Sequence, residues 1–339
     1  MTSQQKVLRV GTAALLLAIS LRLFSQGGSP FFAHYKENPQ LFSFLVYLQT
    51  GRVVRYPDSP KPQIPSVPDA DTGSTIFPED SGNPALPTFS TQDLQALSLT
   101  YGCDYRPDLE PLLLSPLSWD LCTDAPTVLI VHTHATESYE RSPQEFYEEN
   151  APYRTLDTRY NMISIGEELT RVLEAGGIHV IHDKTLHDYP SYNDAYSHTR
   201  ASIAKYLEQY PSIRMVLDLH RDASDGENGN QLTTSATVGG QSSSQLMMVV
   251  GTDASGNYHP NWQENLSLAL KLTATLEQRC PGITRPINLR AQRFNMDMTP
   301  ASLLVEVGGA GDSHQQAILA ANALGQSILA LAKGTASSQ

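Results

Sequence analysis

One short run constrains this chain more than any other: Val128-Leu-Ile-Val-His132-Thr-His134-Ala-Thr-Glu137-Ser-Tyr139. Its four leading apolar residues, three of them β-branched, predict a strand buried on both faces. The run then stops at two imidazoles and a carboxylate. A buried strand that ends this way presents those groups at its C-terminal end, where open α/β sheets hold their ligands. They are also the residue types that bind zinc.

The pattern around this run alternates strands and helices. Strands are expected at 127–131, 179–182, 214–222, 246–250 and 302–309. Helices are expected at 161–175, 192–210, 262–279 and 315–332. Asn161 is placed to cap the first of these helices and Gly176-Gly177 to stop it, with Ile165, Leu169 and Val172 on one face. The fold class this predicts is α/β: a three-layer sandwich built on a mixed, mostly parallel sheet.

The first third of the chain reads differently. Lys6 and Arg9 precede an uncharged segment from Val10 to Leu21, and Arg22 follows it. The segment is short for a membrane span, and snorkelling arginines extend it. The basic N-terminal flank orients the tip to the cytoplasm and exports the remainder; a cleaved signal peptide is the competing reading. A second apolar cluster, Leu41 to Leu48, is too short to span a bilayer and is expected as a membrane-proximal helix. Residues 56–88 are rich in Pro, Ser, Asp and Gly, which favours an extended tether. The expected organisation is therefore a cytoplasmic tip and anchor over 1–25, a membrane-proximal segment over 26–51, a Pro-rich tether over 52–99, a lead-in over 100–126, and a catalytic domain over 127–339. Net charge is −12 with no basic cluster, which excludes nucleic acid as the partner. Cys103, Cys122 and Cys280 form no CxxC pair, which argues against a thiolate zinc site. A Cys103–Cys122 disulfide and three free thiols are equal alternatives for an exported chain.

Three strand ends carry the chemistry: His132, His134 and Glu137 after the first, His220 after the third, and Glu306 within the last. Two histidines and one carboxylate leave a zinc ion with an open position for water, the arrangement of a hydrolytic site. Glu306, among Leu303, Leu304, Val305 and Val307, is placed for a pKa raised by burial and for work as a general base. Half of a buried ion pair is its competing role. Asp218 and Asp222 flank His220 as candidates to orient the imidazole. His179, His182, His187, His198 and His314 have no such context and are read as structural or exposed.

Four runs, taken together and in order, resemble the stage II sporulation protein P family: Leu129-Ile-Val-His-Thr-His-Ala-Thr-Glu-Ser-Tyr139, Asn161-Met-Ile-Ser-Ile-Gly166, Asp218-Leu-His-Arg-Asp-Ala223, and Phe294-Asn-Met-Asp-Met-Thr-Pro-Ala-Ser-Leu-Leu-Val-Glu-Val-Gly308. That family is similar to zinc-dependent N-acetylmuramoyl-L-alanine amidases. The resemblance implies an amidase-like fold, Zn2+ as cofactor, and peptidoglycan as substrate, with an added endopeptidase activity on peptide cross-links. It implies wall thinning at the septum and during engulfment of the forespore, by a single-pass membrane protein whose catalytic domain lies in the septal intermembrane space. The implied partners are sporulation proteins D and M. Carried over by residue, His134 and His220 look like the zinc-binding histidines and Glu306 like the catalytic glutamate. For the third ligand, Glu137 is favoured by its nearness to His134, and Asp157 in Leu156-Asp-Thr-Arg-Tyr-Asn161 is the alternative. His132 is a weaker substitute for His134. Gly308-Gly-Ala-Gly-Asp-Ser departs from the Asn-Thr expected in the family, so the rim of the site is expected to differ. Two readings compete: an inactive wall-binding scaffold on the same fold, and a zinc deacetylase of glycans.

Overall fold

The computed structural model describes residues 87–224 and 230–336. The expected anchor, the membrane-proximal helix and most of the tether lie outside the described residues. Among the described residues no helix is long and apolar enough to cross a membrane.

Among the described residues the strands are β1 (Leu99–Gly102), β2 (Val128–Val131), β3 (Glu149–Ala151), β4 (Arg154–Thr155), β5 (Val180–His182), β6 (Met215–Asp222), β7 (Ala236–Val238), β8 (Gln241–Ser243), β9 (Leu246–Gly251), β10 (Ile287–Arg290) and β11 (Ala301–Gly309). The helices described are α1 (Thr91–Ala96), α2 (Leu109–Leu114), α3 (Met162–Ala175), α4 (Ala195–Gln209), α5 (Trp262–Arg279) and α6 (His314–Ala336). Seven strands form one sheet in the order β1-β10-β9-β11-β6-β2-β5. Every neighbouring pair is parallel except β11 and β9. The mixed, mostly parallel sheet expected from the sequence is therefore present.

Period-two alternation divides the sheet residues between two faces. Val128 and Ile130 of β2, Met215, Leu217 and Leu219 of β6, and Leu303, Val305 and Val307 of β11 pack in the main core with the apolar sides of α3, α5 and α6. On the opposite face Leu129, Val131 and Val216 meet Ile203 of α4. Met247, Val249 and Leu304 meet Met296 and Phe294, which sit in and beside a short 3-10 turn at Met296–Met298. The site develops on this second face.

The sequence accounts for the elements locally. Asn161 accepts a hydrogen bond from the Ile163 amide at 3.0 Å and so caps α3. Gly177 follows the helix with φ +89, where a side chain would be strained. Midway along α3, Gly166 is required by packing: an added Cβ would lie 2.5 Å from His182 Nε2 and 2.6 Å from His132 Nε2.

The structure differs from the sequence reading at the domain's start. The tether and lead-in were expected to run to residue 126. Instead Leu99–Gly102 hydrogen-bonds to β10 as the sheet's edge strand, and Phe89, Leu94 and Leu97 pack against the main core. Apolar side chains at 89, 94, 97 and 99 follow no single period, which hid them from pattern reading. The suggested Cys103–Cys122 disulfide is absent; all three cysteines are free.

Candidate active site

β2 ends at Val131 and the chain turns, so His132 and His134 depart in different directions. His132 goes inward. Its Nε2 lies 2.8 Å from His182 Nε2 and its Nδ1 3.3 Å from the Leu219 carbonyl, and burial with the neighbouring His182 holds its pKa well below the ordinary histidine value. That placement removes it as a substitute for His134. The His134 ring stands edge-on to His220 with centroids 5.2 Å apart.

His134, Glu137, His220 and Glu306 line a single pocket of about 380 Å³. Glu137 Oε2 is 3.6 Å from His220 Nδ1, and Glu137 Oε1 is 3.1 Å from Arg154 Nη2. Asp218 Oδ1 is 3.0 Å from His220 Nε2 and is itself fixed by the Thr133 amide at 2.8 Å and hydroxyl at 2.6 Å. Asp218 thus contacts the imidazole as expected. Asp222 does not: it pairs with Arg285 at 2.8 Å and with Ser224. Asp157, the alternative third ligand, is bound by Arg159 through two hydrogen bonds of 2.9 and 2.6 Å and lies outside the pocket lining. The structure brings together the favoured set and leaves Asp157 apart.

The electrostatics follow from crowding buried carboxylates around one imidazole. Burial opposes the charged form of His220, but Asp218, Glu137 and Glu306 outweigh it and hold its pKa up at about 9. Burial pushes Glu306 up to about 8 against the pull of His220, with Glu137 and Asp222 adding to the rise. Glu306 Oε2 is buried without a hydrogen-bond partner, and no cation among the described residues stands within ion-pair distance of Glu306. The ion-pair role weighed for Glu306 is not what the fold provides. Burial lowers His134, which keeps its imidazole neutral, and His134 Nδ1 is also buried without a partner.

Among the described residues no group of three or more His, Cys, Asp or Glu side chains is placed so that it could hold a metal ion. The donor types present are nonetheless those that bind zinc. A neutral imidazole with a free ring nitrogen, a second imidazole and a carboxylate face one pocket, and the carboxylates in and beside it outnumber the cations that contact them.

Residues that the sequence reading did not single out frame this set. Tyr192 stacks on His134 at 4.4 Å, and Tyr196 lies parallel to His220 at 6.4 Å. Arg154 sits 4.7 Å over Tyr192 and bonds Asp188 at 2.8 Å as well as Glu137. Arg154 lies between an expected strand and an expected helix, and Tyr192 and Tyr196 lie within an expected helix, where nothing in the pattern marks them. At the rim, Asp312 accepts hydrogen bonds from the amides of Thr234 and Gly309 and from the Thr234 hydroxyl. It thereby pins the Gly-rich turn at 308–311.

Over residues 83–329 the chain matches the family described as Stage II sporulation protein P (SpoIIP). It belongs to that family. Stage II sporulation protein P of Bacillus subtilis (strain 168) is 27% identical over 213 residues, covering 59% of this chain and 49% of that protein. The chain therefore spans about half the length of the curated relative it matches. Among solved structures, an N-acetylmuramoyl-L-alanine amidase from Clostridium difficile 630 is similar at TM-score 0.35 and 16% identity, covering 63% of this chain and 97% of its own. An N-acetylmuramyl-L-alanine amidase from Mycobacterium smegmatis is similar at TM-score 0.35 and 12% identity, covering 66% and 100%. Likeness at that level does not bear on the function of this SpoIIP-family chain.

Proposed function

We propose that this chain is a zinc-dependent peptidoglycan hydrolase that cleaves the amide between N-acetylmuramic acid and L-alanine of the stem peptide. The observation that carries the reading is the meeting of His134, Glu137, His220 and the unpaired Glu306 carboxylate in one pocket. His134, Glu137 and His220 would hold the metal. When bound, zinc supplies a Lewis acid that polarises a carbonyl and eases ionisation of water.

The protein's own groups supply the rest. Glu306, held at about 8 chiefly by burial, is drawn towards its ionised form by any added positive charge nearby. It then accepts a proton from the attacking water and returns it to the leaving amine as the C–N bond breaks, so the carboxylate is regenerated. Asp218 keeps the His220 ring oriented, and Arg154 holds one oxygen of Glu137. In this reading the protein thins the septal wall and acts during engulfment, tethered through its N-terminal segment beside sporulation proteins D and M. Endopeptidase action on cross-links belongs to the same proposal.

The test is mass analysis of purified wall fragments digested by the full chain with and without zinc. Free stem peptides released only with zinc are expected. Released acetate would mean a deacetylase, and intact fragments would mean a wall-binding scaffold; either result overturns the amidase reading.

A further inference from the structure

The pocket extends well past its four central residues, and the strand register shows how. Glu306 on β11 pairs with Met247 on β9, and Leu304 with Val249. Val249 then pairs with Asn288 on β10, and Gly251 with Arg290. Thr100 on the edge strand pairs with Asn288. All of these except Gly251 line the pocket, together with Arg285. One sheet face thus changes character across its strands, from carboxylates and the His220 imidazole on β6 and β11, through an apolar floor on β9, to two guanidiniums at and beside β10.

Those guanidiniums have capacity to spare. Arg285 Nη2 pairs with Asp222 Oδ2 at 2.8 Å, but its Nη1 is buried with no hydrogen-bond partner. No carboxylate among the described residues stands within ion-pair distance of Arg290. Asp222 cancels one of the two charges, so among the described residues this end of the pocket keeps a surplus of one cation. In a chain of net charge −12, such a surplus inside a pocket selects an anion. The planar fork of Arg290 suits a carboxylate, which it can bind through two parallel hydrogen bonds.

We propose that Arg285 and Arg290 form a subsite for a carboxylate on the peptide arm of the substrate. The proposal rests on the amidase reading for its assignment of the arm. Neighbouring strands lie about 4.8 Å apart, so β10 is roughly 10 Å from β11, a span that an extended peptide covers in about three residues at 3.3 Å each. The carboxylate therefore belongs to the second or third residue past the scissile amide. The substrate then lies across the strands, with its peptide arm at the Arg290 side.

The experiment is calorimetric titration of the full chain with L-alanyl-γ-D-glutamyl-L-lysine, carboxylates free, and with the same peptide amidated. The parent protein should bind the free acid about tenfold or more tighter, the scale of charge-assisted hydrogen bonds. Arg290→Gln should erase that preference with an unchanged melting temperature, and Arg290→Lys should keep part of it. Equal affinity of the parent for both peptides would overturn the subsite, as would a full preference surviving in Arg290→Gln. So would inorganic phosphate binding more tightly than the peptide acid, which would mark a phosphate site. The peptide contains no muramoyl bond, so binding is read apart from cleavage. A chain that prefers the acid yet cleaves no muramoyl amide overturns the amidase reading and leaves the subsite standing.

Discussion

Glu306 of β11 stands directly opposite His220 of β6 as its partner in the parallel ladder. The two side chains therefore share a sheet face and a height along it, a relation fixed by backbone hydrogen bonds and not by contact between the side chains. Leu304 and Asp218 are partners one step earlier on the same face. The proposed base and metal ligand thus keep their spacing when either side chain is altered, which makes single substitutions informative about chemistry.

Glu306→Gln keeps shape and removes the proton acceptor. Turnover on wall fragments should fall by about 100-fold or more, the scale of a lost general base, with zinc content unchanged. Because no cation among the described residues pairs with Glu306, the substitution leaves no buried charge uncompensated and the melting temperature should hold or rise. A folded, zinc-loaded variant with full activity would remove Glu306 from the mechanism.

His220→Ala and Glu137→Ala should each lose zinc on dialysis against a mild chelator, since three donors are the minimum for such a site. Asp157→Ala should retain it, because Asp157 is held by Arg159 outside the pocket. Metal analysis of the three variants decides the third ligand. Retention by Glu137→Ala with loss by Asp157→Ala would reverse the assignment.

Much of this was legible in the chain because burial writes a period. Val128–Val131 is wholly buried and reads as an uninterrupted apolar run. Helix α5 has the span expected from its spacing, Trp262–Arg279. β10 was missed because Asn288 and Arg290 alternate with only two buried residues, Ile287 and Leu289, too few to show a pattern. β1 was missed because Thr100, Tyr101 and Gly102 are exposed at the sheet's edge. The site divides in the same way. His134, Glu137, His220 and Glu306 follow or lie in buried strands, so their polarity stands out. Arg285 and Arg290 reach the pocket from a loop and a short strand, Arg154 and Tyr192 reach Glu137 and His134 from a hairpin and a loop, and only tertiary packing brings them there. Asp157 and Glu137 were comparable in sequence until Arg159 was seen to occupy the first.

Arg154 joins Glu137 and Asp188 through opposite ends of one guanidinium, at 3.1 and 2.8 Å. The Asp188 side chain is fully buried, and Thr136 is its other hydrogen-bonding partner. Arg154→Ala should therefore destabilise the domain by about 3–5 kcal/mol, the cost of breaking a buried pair on one side. Zinc affinity should drop by roughly tenfold or more as Glu137 loses its orienting contact. Arg154→Lys keeps the charge without the fork and should recover stability in part. Denaturant titration and zinc titration of both variants are the checks. Unchanged zinc affinity in Arg154→Ala would show that Glu137 is positioned without it.

His314 sets an acid limit on stability away from the pocket. Its ring is half-buried at the start of α6, with Nε2 2.7 Å from Ser164 Oγ, and desolvation lowers its pKa to about 4. In the unfolded chain a histidine titrates near 6.5. Between those values the unfolded state holds a proton that the folded state does not, so stability rises with pH across the window and is lost as pH falls from about 6.5 towards 4. The loss from this one group reaches about 3 kcal/mol at the acid end. His182, also lowered to about 4 mainly by burial, adds a slope of the same sign. His314→Gln should therefore flatten the pH dependence of unfolding free energy between pH 4 and 6.5 without abolishing it, and leave the curve above pH 7 parallel to the parent's. Urea titrations at half-unit pH steps measure both curves, and coincident slopes below pH 6.5 would show that the acid-labile proton binds elsewhere.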